Sequence, residues 1–295
     1  MDISVEIGAT RLLACMLFAT SLVVAPPARS DPVADWTEIS LRTVSGADED
    51  VWSRLHTLTL VHFAMYESLN FIALRYASRL TVRPDSPLDI PGEAAAASAA
   101  HFILSNVYPA EKAALDGLLA ISLGSIRPHY AQHSGIETGR AIAANIYALR
   151  GDERFWLPNA DYRARLATGR TRSRGSDAEF WSALGPLHWT ARVADLIVGN
   201  KRPLLEGARI NAAVSMAVSD AYIYAGMEQS NLCGSCAANA AVAVIVGFEF
   251  GDASLPSFTR TSDERRPNSE SSELGRQIGK QALRYFEALE RPQGR

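Results

Sequence analysis

Lysine and cysteine are the scarcest reactive side chains in this chain. Only Lys112, Lys201 and Lys280 stand among 29 basic residues, and against 32 acidic ones the formal net charge is −3. A balance so close to neutral exerts no general pull on nucleic acid or on an anionic membrane, so no nucleic-acid partner is expected. Strict apolar–polar alternation over a strand's length is also missing, which leaves little basis for a sheet. Histidine runs out early: His56, His62, His101, His129, His133 and His188 are all of them, and the last 107 residues contain none. No internal repeat returns at a fixed period.

The three cysteines divide between two settings. Cys15 lies within "LLACMLFATSLVVA", an apolar run from Leu12 to Ala25 that follows Arg11 and precedes "PPARSDP". This is the pattern of a secretory signal, with Ala28 and Ser30 as the small residues before cleavage, and it predicts a mature chain starting near Asp31. The run is too short for a permanent membrane span. "LLAC" precedes most of the apolar run instead of following it, which argues against a lipid anchor. A periplasmic or secreted protein is expected, with residues 31–295 forming one domain. Cys233 and Cys236 are then its only cysteines, in a compartment where thiols oxidise.

What the sequence has in abundance is helical periodicity. Val51, Leu55, Leu58, Val61, Met65, Leu69 and Ile72 mark one face of a long helix opened by Asp48 or Asp50. Further helices are predicted over 93–107, 109–122, 128–150, 203–226, 234–248 and 271–290, with another beginning at Ser176. Pro91, Pro109 and Pro128 stand at three of the junctions, where a first helical turn tolerates proline. Residues 151–175 lack an apolar stripe and read as a loop, and a polar connection separates the last two helices. The fold class is an all-α bundle.

Two groups of residues invite chemistry. His129, His133 and Glu137 recur every fourth residue and share a helix face, as zinc ligands can, but a solvated polar face uses the same letters and no metal is predicted. Cys233-Gly234-Ser235-Cys236 has the spacing of redox cysteines, and the dipole at a helix start stabilises a thiolate. The β-strand that normally precedes such a motif is replaced by a helix. Catalytic redox, a structural disulfide and two small buried thiols remain open from the residues alone.

A further reading rests on order along the chain. "DWTEISLRTVS" (35–45), "LVHFAMYESLN" (60–70), "EAAAASAAHFILSNVYPAEKAALD" (93–116), "FWSALGPLHWTARVADLIV" (180–198), "PLLEGARINAAVSMAVSDAYIYA" (203–225), "NLCGSCAANAAVAVIVGFEFGD" (231–252) and "ELGRQIGKQALRYF" (273–286) follow one another. In that order they resemble secreted bacterial vanadium-dependent haloperoxidase-like proteins, of the superfamily that includes type 2 phosphatidic acid phosphatases. The resemblance implies an all-α fold and a phosphate or vanadate held at a helix N-terminus.

It also implies where this chain departs from the family. The family's turn reads Pro-Ser-Gly-His-Ser, with Ser and Gly on the oxyanion and His as acid–base group. Leu232, Cys233, Gly234, Ser235 and Cys236 occupy that place, so Gly234 is kept and Ser235 replaces the His. Gly234 and Ser235 are the remnant oxyanion positions. The family's Lys and Arg-Pro segment before the turn is absent, and no second His follows. Lys201-Arg202-Pro203 lies before the long helix instead of after it, and Arg260, Arg265 and Arg266 are the cations of the later connection. A vanadate cofactor is therefore not expected. The expectation is a degenerate family member without haloperoxidase or phosphatase activity, which either binds a small molecule or protein or persists as a degenerate paralogue. Its rivals are a rebuilt site drawing on Arg260, Arg265 and Ser235, with His62 or His188 entering from another helix, and a thiol–disulfide protein using Cys233 and Cys236.

Overall fold

The computed structural model describes residues 31–78, 80, 90–126, 131–149, 187–227, 232–254 and 269–289. Every regular element among them is helical, and no β-strand occurs there. The expected signal segment with Cys15, His129, the segment 151–175 read as a loop, the helix start expected at Ser176, and Arg260, Arg265 and Arg266 lie outside the described residues.

Helix α1, Pro32–Gly46, has no counterpart among the helices predicted from periodicity. Asp31 caps it, accepting from the Val33 and Ala34 amides, and Pro32 sits where a missing N–H costs nothing. Its inward stripe of Val33, Trp36, Thr37, Ser40 and Val44 is part polar, which hid the period. Helix α2, Val51–Ala73, is capped by Asp50 and is buried on nearly every side from Leu55 to Asn70. A helix apolar all round belongs at the centre of a bundle. It ends on Leu74 in the left-handed conformation, and Asn70 holds the departing chain through both Tyr76 backbone groups.

Helix α3 is Gly92–Val107, and a short 3₁₀ turn at Pro109–Glu111 leads into α4, Lys112–Gly124. Helix α5 is Gln132–Ala148. The second half contains α6 (Leu187–Gly199), α7 (Leu204–Met227), α8 (Gly234–Phe250) and α9 (Ser269–Leu289).

The two halves are built alike. In the first, α1 lies on α2, α2 packs on α3 and α5, and α3 packs on α5; in the second, α6, α7, α8 and α9 repeat those pairings in the same order. The local details repeat too. Trp36-Thr37 returns as Trp189-Thr190, 153 residues later, and both pairs are buried. Gly139 of α5 lies so close to Ala95, three residues beyond Gly92, that a Cβ would strike its carbonyl oxygen. Gly275 of α9 stands in the same relation to Ala237, three residues beyond Gly234. Around those glycines Glu137-Thr138-Gly139-Arg140 matches Glu273-Leu274-Gly275-Arg276. The interval shrinks to 142 between Gly92 and Gly234 and to 136 between Gly139 and Gly275, because the second half has shorter connections. A search for one fixed period misses such a duplication.

Helices α2 and α7 cross antiparallel where the halves meet. Trp52, early in α2, packs edge-on against Tyr222, late in α7, with ring centroids 6.1 Å apart. Tyr76, just past α2, reaches Glu206 in the first turn of α7 at 2.8 Å. Midway, His62 meets Ser215, which is its own counterpart 153 residues on. Equivalent helices that cross antiparallel are related by a half-turn, and their equivalent residues meet at its axis, so a local pseudo-twofold passes beside this pair.

Candidate functional site

Two backbone amides of the turn that opens α8, those of Cys233 and Cys236, have hydrogen-bond partners close by. Cys233 is its N-cap, and the Cys233 sulfur accepts the Cys236 amide at 3.1 Å. The Cys233 and Cys236 sulfurs are bonded to each other, 2.10 Å apart, so the Ser235 hydroxyl at 3.1 Å can only donate to Cys233 Sγ. The Cys233 amide donates to Ser271 Oγ at 2.9 Å, and Ser271 is fully buried in the first turn of α9. Glycines at 275 and 279 let α9 lie directly on the α8 backbone: a Cβ on either would strike Ala237 or Ala241. Thus a buried hydroxyl from α9 stands on the amide that opens the helix.

The described cationic candidates lie elsewhere. Arg202 reaches the Glu249 carbonyl and stacks over Phe250, at the opposite end of α8 from Gly234. Arg209 of α7 also serves that end, binding Glu249 at 2.7 Å and Glu206 at 2.9 Å. Burial opposes its charge, but the two carboxylates prevail and raise its pKa. Burial likewise opposes charge on Glu206, yet bonds from Arg209 and Tyr76 hold its carboxyl below the ordinary range. The Tyr76 hydroxyl, partly buried and given to Glu206, is pushed up to about 12. This network ties α7, α8 and the end of α2 together, and its charges are mutually spent.

His133 and Glu137 pair with each other at 3.0 Å on an exposed face, and no group of three or more metal-type side chains gathers among the described residues. His188 of α6 stacks edge-on with Trp189, and burial lowers its pKa. His101 bonds Asp116 at 2.7 Å and joins α3 to α4. Lys112 and then His101 hold the Asp116 carboxyl below its ordinary value. Residues Glu270, Glu273, Leu274 and Gln277 line a shallow, open cleft on α9.

The pairing of His62 was not legible from local sequence. Its Nδ1 lies 2.5 Å from Ser215 Oγ and its Nε2 3.2 Å from Thr37 Oγ1. The Thr37 hydroxyl donates its one proton to the Val33 carbonyl at 2.7 Å, so towards His62 it can only accept. That assigns the proton to Nε2 and leaves Nδ1 to accept from Ser215. Asn211 Nδ2 adds a second donor to Thr37 at 3.2 Å. A Ser–His bond is also how hydrolases activate a nucleophile, but the third member here is a threonine, not a carboxylate. His62 is fully buried and Ser215 2% exposed, so no substrate reaches them as the protein stands. Burial holds the imidazole neutral, its pKa lowered to about 3. This is a structural network at the pseudo-twofold.

Compared with models of known protein families, with curated proteins and with solved structures, the chain matches none.

Proposed function

We propose that this is an exported helical protein of the haloperoxidase and type 2 phosphatidic acid phosphatase type that no longer carries out the parent chemistry and acts through binding. The reading is carried by the start of α8, where the resemblance puts the oxyanion. The Cys233 amide there is given to Ser271 and the Cys236 amide to the Cys233 sulfur. An oxyanion that took the Cys233 amide would have to displace a buried hydroxyl that already satisfies that donor. Ser235, in place of the acid–base imidazole, spends its proton on sulfur and has no titration near neutral pH.

The test is direct. Purified mature protein, supplied with vanadate, hydrogen peroxide and bromide, is expected to halogenate a phenolic dye no faster than a protein-free control, and to release no phosphate from simple phosphomonoesters. Vanadate-dependent turnover that disappears when one histidine is replaced would overturn the reading in favour of a rebuilt site.

One observation favours a second reading, that of a thiol–disulfide protein. The Cys233 sulfur caps the helix and accepts an amide hydrogen bond, an arrangement that stabilises a thiolate once the bond is reduced. Reduction of insulin by dithiothreitol, catalysed by the protein and lost in Cys233→Ser, would select this reading over the first.

A further inference from the structure

We propose that this protein is a fused dimer: α1–α5 and α6–α9 are two copies of one helical unit, α4 having no counterpart among the described residues of the second, and each presents a docking face whose partner is the other copy. The face is built on α1 and α2 in the first copy and on α6 and α7 in the second. Three observations carry it. The helix pairings of one half recur in the other, in chain order. The two described glycines at which an added Cβ would come nearest a neighbouring backbone, Gly139 over Ala95 and Gly275 over Ala237, occur at matching places. His62 and Ser215, at matching places on α2 and α7, touch each other where those helices cross antiparallel, as residues beside a twofold do.

The face has also become selective for an unlike partner. The axis holds one imidazole and one hydroxyl, and the ring's two nitrogens are both used, on Ser215 and on Thr37. Two first halves facing each other would put two imidazoles into a fully buried space fitted for one ring. Two second halves would bring two serines together and leave a void. His opposite Ser is the combination that fills the space and satisfies the hydrogen bonds.

The twofold makes a prediction that ordinary contact does not. If positions 62 and 215 are equivalent, the His and the Ser are exchangeable. An imidazole moved to 215 would face Thr190, which is buried on α6 at the place Thr37 holds on α1. In the full-length protein, His62→Ser and Ser215→His are each expected to lower Tm by about 5 °C or more, the first by losing ring contacts and the second by overpacking. The double exchange His62→Ser with Ser215→His is expected to recover at least half of the combined loss. A double variant no more stable than the two losses added together would overturn the proposal.

A second measurement covers the case in which the single variants do not fold. A site-specific protease sequence inserted between Gly175 and Ser176 lets the full-length chain be cut into its two halves. After denaturation and refolding of the cut protein, the pieces are expected to elute together in equal amounts, with the helical circular dichroism of the uncut chain. Pieces that separate under native conditions would sink the idea, as would pieces that pair with themselves.

Discussion

The backbone amide of Cys233 donates to Ser271 Oγ at 2.9 Å, so the entry to α8 is closed by a hydroxyl carried on α9. Ser271 is fully buried, and water cannot simply take its place. Replacing it with alanine leaves the amide without its partner, at a cost of about 1–3 kcal/mol in urea-induced unfolding. Ser271→Thr keeps the hydroxyl and is expected to lose less. Equal losses in the two variants would show that packing, and not the hydrogen bond, matters here.

Glycine substitutions separate close packing from open helix. In Gly275→Ala the new Cβ meets the Ala237 carbonyl oxygen, a rigid backbone atom, so α8 and α9 must part. A loss of about 2 kcal/mol or more is expected. Gly117, within α4, has nothing within 4 Å of where its Cβ would lie. Gly117→Ala is therefore expected to stabilise the protein by about 0.5–1 kcal/mol through helix propensity. Thermal unfolding of the pair checks both signs at once, and a gain in Gly275→Ala would contradict the packing described.

Much of this fold was legible because helices with continuous apolar faces declare themselves. The stripe from Val51 to Ile72 set α2, and Asp50 was one of the two caps expected for it. Helix α1 escaped because Thr37 and Ser40 interrupt its buried stripe, their hydroxyls turned back onto carbonyls four residues earlier. The first turn of the segment 109–122 winds as 3₁₀ before α4 begins, a boundary that proline alone does not specify. The duplication stayed hidden because unequal connections shift its interval, and because chemistry diverged at the matched positions, with His62 opposite Ser215. The candidate turn at 233–236 was visible as a motif. Its hydrogen-bond partner was not, since Ser271 is distant in sequence and only the Gly275 and Gly279 packing brings it there.

Acid sensitivity should centre on His62. Its folded pKa is lowered to about 3 from an ordinary 6.5, by burial. Between those values the unfolded chain binds a proton that the folded chain refuses. Stability is therefore complete above about pH 6.5 and falls as the pH drops towards 3, by about 1.4 kcal/mol per pH unit from this group. His101, also held below its ordinary value by burial, adds to the same trend. The groups bonded to the His62 ring are the hydroxyls of Thr37 and Ser215, and neither offers a charge to offset a proton. His62→Asn is expected to lower stability at pH 7 yet flatten the dependence between pH 6 and 4. An unchanged slope in that variant, measured by chemical denaturation across the range, would assign the sensitivity elsewhere.

The state of the cysteines and the place of export can be read in one preparation. If the apolar run at 12–25 is a signal removed after Ser30, protein purified from its own host begins at Asp31, the residue that caps α1. In that exported form Cys233 and Cys236 are the only cysteines left and are bonded to each other, so neither is expected to react with an alkylating agent until a reductant is added. Reduction itself should unfold little. The loop closed by the bond spans four residues, and a loop that short adds on the order of 2 kcal/mol at most in the chain-entropy account. The α8–α9 packing through Gly275 and Gly279 does not depend on it. Cys233→Ser with Cys236→Ser is therefore expected to lower Tm by only a few degrees and leave the helical circular dichroism intact. An intact Met1 in a cytoplasmic fraction would refute export. Thiols freely alkylated in protein isolated without reductant would refute the bond in the native protein, whatever the N-terminus proves to be.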